Sequence, residues 1–509
     1  MNKRFFRSGL LLCMMILFTG LLALHSGAQE GEAQPITAAA QIETAGFSQP
    51  ERLRDGDALS AVTGAPGATV RLEYAEGIGG ISLVFEPAYG TYTVTDAESG
   101  QSVRVGENGF LHDYLDLVAL FGAAPRAVTL TFDGADVFLC EVTAYSPGTP
   151  PAQVQRWEAP CSGGADLVLF SAHGDDDQLF FAGLLPYYAG QCGYRVQVVY
   201  LTDHRNDTNL RVHEMLNGLW AVGVRAYPVF GTFPDFRIDD LQQSYDQYAA
   251  LGVSQEQMQL FVVRQLRRFR PLVAVGHDLA GEYGHGMHMV YADLLTRALD
   301  LSADEQYDPP SAEEYGVWQV PKTYLHLYGE NPIVMNYDVP LSAFGGMTAF
   351  EVTQKLGYPC HVSQQYTWFT DWINGAAGEI TRADQITTYS PCKYGLYRST
   401  VGADSGENDM FEHLTTYGQQ EEERKAREEA QRLKEEQERE AKALQERQSQ
   451  EALRAAQAAM AQEQARLQEE QRAQAQNRRV QLIACAAALA AALLYTICLI
   501  GIRKKRNKR

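Results

Sequence analysis

Basic residues are in short supply in this chain. Its 509 residues include 43 Lys and Arg against 63 Asp and Glu, which gives a formal net charge of −20 at pH 7. Proteins that bind nucleic acid do so largely through Lys and Arg contacts to phosphate. We therefore expect no nucleic-acid partner. The acidic residues are spread along the chain, so they indicate solubility rather than a particular function.

Cysteine is also scarce, and the positions of the few cysteines carry little information. None of the 8 cysteines lies in a CxxC pair or at a Cys/His spacing typical of structural zinc. Five of them lie between the two long apolar runs described next: Cys140, Cys161, Cys192, Cys360 and Cys392. Because five is an odd number, at least one of these cysteines has no intrachain disulfide partner. Outside the cytoplasm, a disulfide such as Cys360–Cys392 can form.

Two long apolar runs lie near the two ends of the chain. Residues 1–28 combine a basic start, an apolar stretch and small residues at the end, which predicts a secretory signal peptide, with an uncleaved anchor as the alternative. Residues 480–502 are apolar except for Gln481 and long enough to span a bilayer. The basic tail at 503–509 would stay in the cytoplasm. We predict an exported, single-pass membrane-anchored protein at the cell surface, with its globular part outside.

The residues between these runs change character four times. Residues 29–42 are small and polar and read as a leader without evident structure. Residues 43–147 hold short alternating runs separated by turns, which predicts an antiparallel β-sandwich. A proline-containing linker follows at 148–159. From 160 to 417 strand-like and helix-like segments alternate, which predicts an α/β Rossmann-like parallel sheet.

Residues 418–479 consist almost entirely of Glu, Gln, Arg, Lys and Ala, which predicts one long helix. Leu453, Met460 and Leu467 keep a seven-residue step, but the leucines before them do not continue it. A solvated helical stalk is therefore favoured over a sustained coiled coil. Such a stalk would reach roughly 90 Å. Self-association through it stays open.

The most unusual stretch is HGDDD, His173 to Asp177, which follows an apolar strand-like run directly. Adjacent aspartates repel one another, and a cation would resolve that repulsion. Ligands of open α/β sheets bind beyond the carboxyl ends of the strands, so this position suits a site. A turn can aim His173 and Asp176 at one point, with Asp175 beside them. One imidazole and one carboxylate suit zinc, which takes three protein ligands in catalytic sites.

A third ligand is expected at the end of another strand. The strand-like run 271–277 precedes a glycine-rich loop and then His285 and His288, at the start of a helix. Two helical residues three apart can face the same side, so one can bind a metal while the other meets a substrate. The alternatives for the aspartates are a solvated turn or a calcium loop. Calcium prefers oxygen ligands and would leave His173 without a role.

The stretches SAHGDDD (171–177) and GEYGHGMH (281–288) resemble the PIG-L (LmbE-like) family of zinc-dependent N-acetylglucosaminyl deacetylases. The resemblance covers about residues 160–417. It implies one zinc ion, held by His173, Asp176 and His288.

The resemblance also implies a reaction and its catalytic residues. Asp175 would be the general base, a protonated His285 would stabilise the oxyanion, and Tyr283 would assist at the substrate carbonyl. A zinc-bound water would remove the N-acetyl group of an N-acetylglucosamine-type sugar or glycan. Gly174 and Asp177 depart from the proline and glutamate usual in the family. The alternative is a non-catalytic, metal-containing glycan-binding surface protein.

Loops that follow the second and third strands are expected to converge on the same end of the sheet, where their polar residues can contact sugar hydroxyls. Ordinary solvated loops are the alternative. One further histidine matches a position that borders the pocket in the family. The candidate substrate contacts are Arg205, Asn206, Asp235 and His361.

The N-terminal region carries a second, looser resemblance. RDGDALSAVTG (54–64), GENGFLHDYLDLVALFG (106–122) and ADVFLCEVTAYSPG (135–148) are similar to stretches of galactose-binding-like (discoidin-type) modules. This resemblance implies sugar binding in end loops and a structural Ca²⁺. A spacer domain without a ligand is the alternative.

Overall fold

The computed structural model describes residues 31–161, 163–202, 210–365 and 367–507. The expected signal peptide at 1–28 and the candidate substrate contacts Arg205 and Asn206 lie outside these residues. The chain divides after Gln420 into two compact units. The chain has a β-rich N-terminal region, an α/β region and a long C-terminal helix, in the order that the sequence predicted.

The N-terminal region is an antiparallel sheet of eight strands, in the order β5-β4-β7-β2-β8-β3-β6 with β1 paired to β2. Along β2, Val70 and Leu72 are buried while their neighbours Arg71 and Glu73 are partly exposed, the period-2 pattern of a strand with one face on a core. The elements are β1 (Gln41–Phe47), β2 (Val62–Glu73), β3 (Gly80–Phe85), β4 (Tyr92–Asp96), β5 (Ser102–Val105), β6 (His112–Asp116), α1 (Leu117–Phe121), β7 (Ala127–Phe132) and β8 (Val137–Tyr145).

Ordered structure in this region begins before residue 43. Ile36, in the segment expected to be a leader, is 6% exposed and packs in the core of the sheet. The Ala33 N–H donates to the Thr149 carbonyl at 2.9 Å, and β1 begins at Gln41. The described part of the leader therefore packs onto the β-rich region.

The α/β region contains a seven-stranded sheet in the order β11-β10-β9-β12-β13-β15-β14. The first five strands in this order run parallel, and β15 is antiparallel to both of its neighbours. The sheet is thus mixed, with an antiparallel end beyond the parallel part. Its strands are β9 (Leu167–Ser171), β10 (Val196–Thr202), β11 (Val229–Phe233), β12 (Val273–Gly276), β13 (Lys322–His326), β14 (Pro332–Val334) and β15 (Lys393–Ser399).

Helices cover both faces of this sheet, so every residue of β9 is buried, as expected for a strand in a parallel sheet. Leu167 and Leu169 pack with residues of α2, while Val168 and Phe170 pack with residues of α4 and α5. The helices are α2 (Leu210–Ala221), α3 (Leu241–Ala250), α4 (Gln255–Phe269), α5 (Gly286–Leu301), α6 (Pro309–Tyr315), α7 (Ala349–Val352) and α8 (Trp368–Asn374).

A buried histidine pair joins the β-rich region to α2. His112 Nε2 lies 2.6 Å from His213 Nδ1, and His213 Nε2 lies 2.9 Å from a carboxylate oxygen of Glu86. His112 Nδ1 lies 2.7 Å from Gln155 Oε1, and Trp157 Nε1–H, which can only donate, identifies that atom as the amide oxygen. A chain of hydrogen bonds between buried side chains thus links β6 to α2.

The second unit begins at Glu421, within α9 (Tyr417–Arg506), a helix of 90 residues without a buried side chain. One 18-residue window has a mean hydropathy of 2.5, so by length and composition the helix can cross a membrane. Ion pairs one turn apart, such as Arg424–Glu428, occur along its charged part. Such pairs and high helix propensity account for a helix without a packed face.

The cysteines of the described residues are all free thiols. Cys392 is buried, and Cys360 donates its Sγ–H to the Leu356 carbonyl. The Cys360–Cys392 disulfide considered from the sequence is therefore absent from this part of the chain.

Candidate active site

The site lies where β9 and β12 end side by side. β9 pairs with β10 on one side and with β12 on the other, so the strand order reverses at this point. Ligands of open α/β sheets bind in the crevice at such a reversal. The residues that follow β9, from His173, and those that follow β12, from His277, meet there.

Local hydrogen bonds shape the turn after β9. The His173 N–H donates to Asp176 Oδ2 at 2.8 Å, and Ser171 Oγ–H donates to the His173 carbonyl at 3.0 Å. A Cβ at Gly174 would lie 2.5 Å from Met215 Sδ. A methionine from α2 thus fills the space beside the turn. This packing accounts for glycine at position 174, where the family that the chain resembles usually has proline.

Three ligand atoms converge at this turn. His173 Nδ1 lies 3.0 Å from both Asp176 Oδ2 and His288 Nε2, and the last two atoms are 3.3 Å apart. Ligand atoms at ~2.0–2.1 Å from a tetrahedral zinc would be separated by about 3.3–3.4 Å. The side chains of His173, Asp176 and His288 are 10%, 3% and 0% exposed. Their spacing, burial and donor types fit a zinc ion.

Carboxylates hold both imidazoles in the tautomer that leaves a lone pair for a metal. His173 Nε2–H donates to Asp235 Oδ1 at 3.2 Å, and His288 Nδ1–H donates to Glu282 Oε2 at 2.7 Å. Such a carboxylate contact orients a metal-binding histidine and increases its basicity. Asp235, expected as a substrate contact, thus orients His173.

Glu282 is a residue that the sequence analysis missed. Its side chain is fully buried and accepts from Nδ1 of His277 at 2.9 Å, of His326 at 2.6 Å and of His288. Burial alone would raise the pKa of Glu282, but the surrounding imidazoles hold it well below its usual range. Glu282 lies in a glycine-rich loop, where a carboxylate is usually exposed to solvent. Nothing in the local sequence therefore indicated that three histidines would surround it.

His277 lies beside the centre but is poorly suited to bind a metal. Its Nε2 is 3.5 Å from Asp176 Oδ2, and His277, Asp176 and His288 form a group that could hold an ion by distance alone. However, His277 Nε2 accepts the Ala172 N–H at 2.8 Å, while Nδ1–H donates to Glu282. Its only lone pair is thus in use, which favours the His173, Asp176 and His288 set.

Asp175 is placed beside the three ligand atoms and is buried. Its Oδ2 lies 3.5 Å from Nη2 of Arg211, which also donates through Nη1 to Glu214 at 3.0 Å. Burial raises the pKa of Asp175, and the Arg211 charge opposes that rise. A carboxylate with a raised pKa beside such a group of candidate metal ligands suits proton transfer near neutral pH.

His285 faces the same centre from the loop before α5. Its ring centroid is 4.8 Å from that of His173 and 5.0 Å from that of His288. Burial and, next, the neighbouring imidazoles lower its pKa to about 2, so the ring is neutral near pH 7 and not protonated as expected. Its Nδ1 is buried without a hydrogen-bond partner among the described residues, which leaves this atom available to a bound molecule.

Tyr283 packs against His285 with a centroid distance of 5.4 Å and an interplanar angle of 22°. Its backbone has φ 44° and ψ 28°, the left-handed region that a residue with a Cβ rarely adopts. Backbone conformations of this kind cost about 1–3 kcal/mol and cluster at functional sites. Tyr283 thus lies against His285 in a strained conformation, and its expected action at a substrate carbonyl stays a prediction.

His361 is buried beside α2. It is fully buried, and a Cβ at Gly218 of α2 would lie 2.8 Å from its Nε2. The side chain therefore packs against α2. Its expected place at the border of a substrate pocket stays a prediction.

Comparisons with known proteins identify relatives of the α/β region. Residues 168–299 match the family model described as PIG-L, GlcNAc-PI de-N-acetylase. The chain is 27% identical over 199 residues to a 1D-myo-inositol 2-acetamido-2-deoxy-alpha-D-glucopyranoside deacetylase of Streptomyces scabiei, covering 35% of this chain and 58% of that protein. It is 28% identical over 178 residues to deacetylase 1 of the same description from Frankia alni, covering 30% and 59%. The chain thus spans less than two thirds of these relatives.

Among solved structures, the chain is similar to N,N'-diacetylchitobiose deacetylase from Pyrococcus horikoshii. The sequence identity is 14% and the TM-score is 0.29, over 46% of this chain and 84% of that one. The matched family region ends at 299, whereas β13 to β15 lie after it and complete the same sheet.

Proposed function

Residues 168–299 are a PIG-L domain, and on that premise we propose that this chain is a zinc-dependent hydrolase that removes N-acetyl groups from N-acetylglucosamine-type sugars or glycans. The deacetylase descriptions of the matched relatives support the reaction class. The observation that carries the proposal is the convergence of His173 Nδ1, Asp176 Oδ2 and His288 Nε2 within 3.3 Å of one another, with Asp175 and His285 alongside.

His173, Asp176 and His288 would hold the zinc ion. When bound, zinc lowers the pKa of a water molecule towards ~7 and polarises an amide carbonyl. Asp235 and Glu282 would keep the two imidazoles oriented through their second ring nitrogens. This set leaves room in a four-coordinate arrangement for one ligand from outside the protein, which a hydrolytic site requires.

Asp175 would move the proton during hydrolysis. Its carboxylate takes a proton from the attacking water and delivers it to the amide nitrogen as the C–N bond breaks, which yields acetate and a free amino sugar. Arg211, 3.5 Å from Asp175 and held by Glu214, keeps the carboxylate in place. Its positive charge also limits how far burial raises the pKa of Asp175.

His285 and Tyr283 would act at the substrate carbonyl. As the carbonyl carbon becomes tetrahedral, negative charge develops on its oxygen, and a preorganised N–H or O–H donor stabilises that charge. The neutral His285 ring offers one N–H, and the Tyr283 ring is stacked against it. Burial raises the pKa of Tyr283, so its hydroxyl keeps its proton and can donate.

We also propose that the protein is exported and anchored by residues 480–502, with the PIG-L domain outside the cytoplasm. The apolar part of α9 supports an anchor. In the same way, the N-terminal region is proposed to be a galactose-binding-like β-sandwich that holds sugar. Its structural Ca²⁺ stays a prediction.

The test is acetate release by the full chain in detergent, measured on N-acetylglucosamine, its oligosaccharides and N-acetylglucosaminyl inositol. We expect release from at least one of them, its loss with a zinc chelator and its recovery with added zinc. Asp175→Asn should lower kcat by about 10²–10⁴-fold with zinc still bound. Asp246→Asn, on the exposed side of α3, is the matched control. Full activity of Asp175→Asn would rule out the proton-transfer role.

A further inference from the structure

Outside the metal centre, the most distinctive feature is a row of aromatic rings that leads from His285 to the protein surface. The centroid of the Tyr283 ring lies 5.4 Å from that of His285 and 5.7 Å from that of Trp368. The ring centroids of Phe369 and Trp368 are 4.1 Å apart. Trp368 is 49% exposed and is the only exposed tryptophan of the five in the chain. The row thus ends in a large apolar ring system that is open to solvent.

The exposure of Trp368 is unusual for its position. Trp372, one turn later on α8, packs 5.5 Å from Phe180 and donates Nε1–H to the Thr388 carbonyl at 3.0 Å. The same short helix therefore places one tryptophan in a packed environment and leaves the other accessible beside the site. Fully burying a large apolar side chain gains ~1.5–3 kcal/mol, so a molecule that covers the Trp368 ring would draw binding energy from it.

The chemistry of the surroundings favours a neutral sugar. The C–H face of a pyranose ring is apolar and packs on an aromatic face, while its hydroxyls point sideways to polar groups. Arg237, whose guanidinium carbon lies 4.7 Å from the Tyr283 ring centre, supplies such a polar group. Asp235 and Asp239 flank it and disfavour an anionic occupant.

We propose that Trp368 is the platform for a sugar residue joined to the residue that is deacetylated. This inference rests on the proposed function and narrows it, because it makes the preferred substrate an oligosaccharide or glycan rather than a monosaccharide. The ring centroids of His285 and Tyr283 are 5.4 Å apart and those of Tyr283 and Trp368 are 5.7 Å apart, so Trp368 lies within reach of a sugar joined to the one that reacts beside His285.

The experiment compares Trp368→Ala with the unmodified full chain on N-acetylglucosamine and on N,N'-diacetylchitobiose. We expect kcat/KM to fall about tenfold on the disaccharide, mainly through KM, and to change less than about twofold on the monosaccharide. Trp368→Phe should recover most of the loss. Val362→Ala, which alters an exposed apolar residue at 65% exposure, is the control. Equal losses on both substrates, or no loss on either, would overturn the platform.

Binding gives a readout that does not depend on turnover. Titration of N,N'-diacetylchitobiose and chitotriose into the Asp175→Asn chain should give a calorimetric signal that weakens about tenfold when Trp368→Ala is added. If no substrate releases acetate but this difference in binding is seen, the proposed reaction fails while the platform stands. If acetate is released but Trp368→Ala leaves affinity unchanged, the platform fails alone.

Discussion

His288 Nδ1 lies 2.7 Å from Oε2 of Glu282, a carboxylate without solvent exposure that also contacts His277 and His326. This contact decides which nitrogen of His288 faces His173 and Asp176. It makes the orientation of His288, a proposed metal ligand, depend on a residue six positions earlier in the chain. The contact also explains how a carboxylate can be buried so deeply, since the imidazoles around it supply N–H donors.

Replacing Glu282 by Gln should therefore weaken metal binding. The amide cannot accept as strongly as a carboxylate, so His288 loses its fixed tautomer, and we expect zinc affinity to fall about 10–100-fold. Competition with a coloured chelator measures the affinity directly, without reference to activity. Glu107→Gln, at an exposed position, is the control. Unchanged affinity in a folded Glu282→Gln protein would contradict the positioning role.

His277 and His288 both lie close to Asp176, but we expect their substitution to change the metal content differently. His288→Ala removes a proposed ligand, so we expect metal content to fall well below one zinc ion per chain. His277→Gln should keep close to one zinc ion, because the His277 lone pair already accepts the Ala172 N–H. Elemental analysis of the dialysed proteins separates these outcomes, with the exposed His413→Asn as reference. Equal metal loss in both variants would instead make His277 a ligand.

The buried pair of His112 and His213 predicts a stability that depends on pH. Burial, and next the charge of His213, lower the pKa of His112 to about 3 from a usual value of 6.5. The unfolded chain then binds a proton that the folded chain excludes between these values. Stability from this group is complete above pH ~6.5 and decreases as pH falls, by at most ~1.4 kcal/mol per pH unit.

Melting temperatures measured from pH 7 to pH 4 test this dependence. The groups that face His112 are His213 and, beyond it, Glu86, together with the uncharged Gln155. His112→Gln should melt with a shallower dependence on pH than the unmodified chain, even if it is less stable at pH 7. An identical slope for both proteins would show that His112 does not exclude a proton in the fold.

Gly174 and Met215 should be energetically coupled. A Cβ at Gly174 would meet Met215 Sδ at 2.5 Å, so Gly174→Ala should cost about 1–3 kcal/mol of stability. In a Met215→Leu background, whose branched side chain lacks the long thioether end, the cost should change by at least ~0.5 kcal/mol. A double-mutant cycle from chemical unfolding gives the coupling. Additive effects of the two substitutions would show that Met215 does not limit the side chain that the turn can accommodate at position 174.

Local patterns in the sequence identified the main classes of element. Alternation of polar and apolar residues indicated the β-rich N-terminal region, and the charged composition after 418 indicated a helix, which the structure extends from Tyr417 to Arg506. The family resemblance is confirmed by the PIG-L match at 168–299. The packing of Ile36 and the antiparallel end of the second sheet were not visible, because both depend on contacts distant in the chain.

For the site, the sequence by itself determined which side chains could take part, because imidazoles and carboxylates at strand ends are chemically able to hold a metal wherever the sheet aligns those ends. It did not identify Glu282 as the group that orients His288, show that the His277 lone pair is already occupied, or separate the buried His361 from the accessible Trp368. Only the tertiary structure decided these points. Tautomer, lone-pair use and exposure depend on which residues meet in space, and residues far apart in the chain supply those contacts.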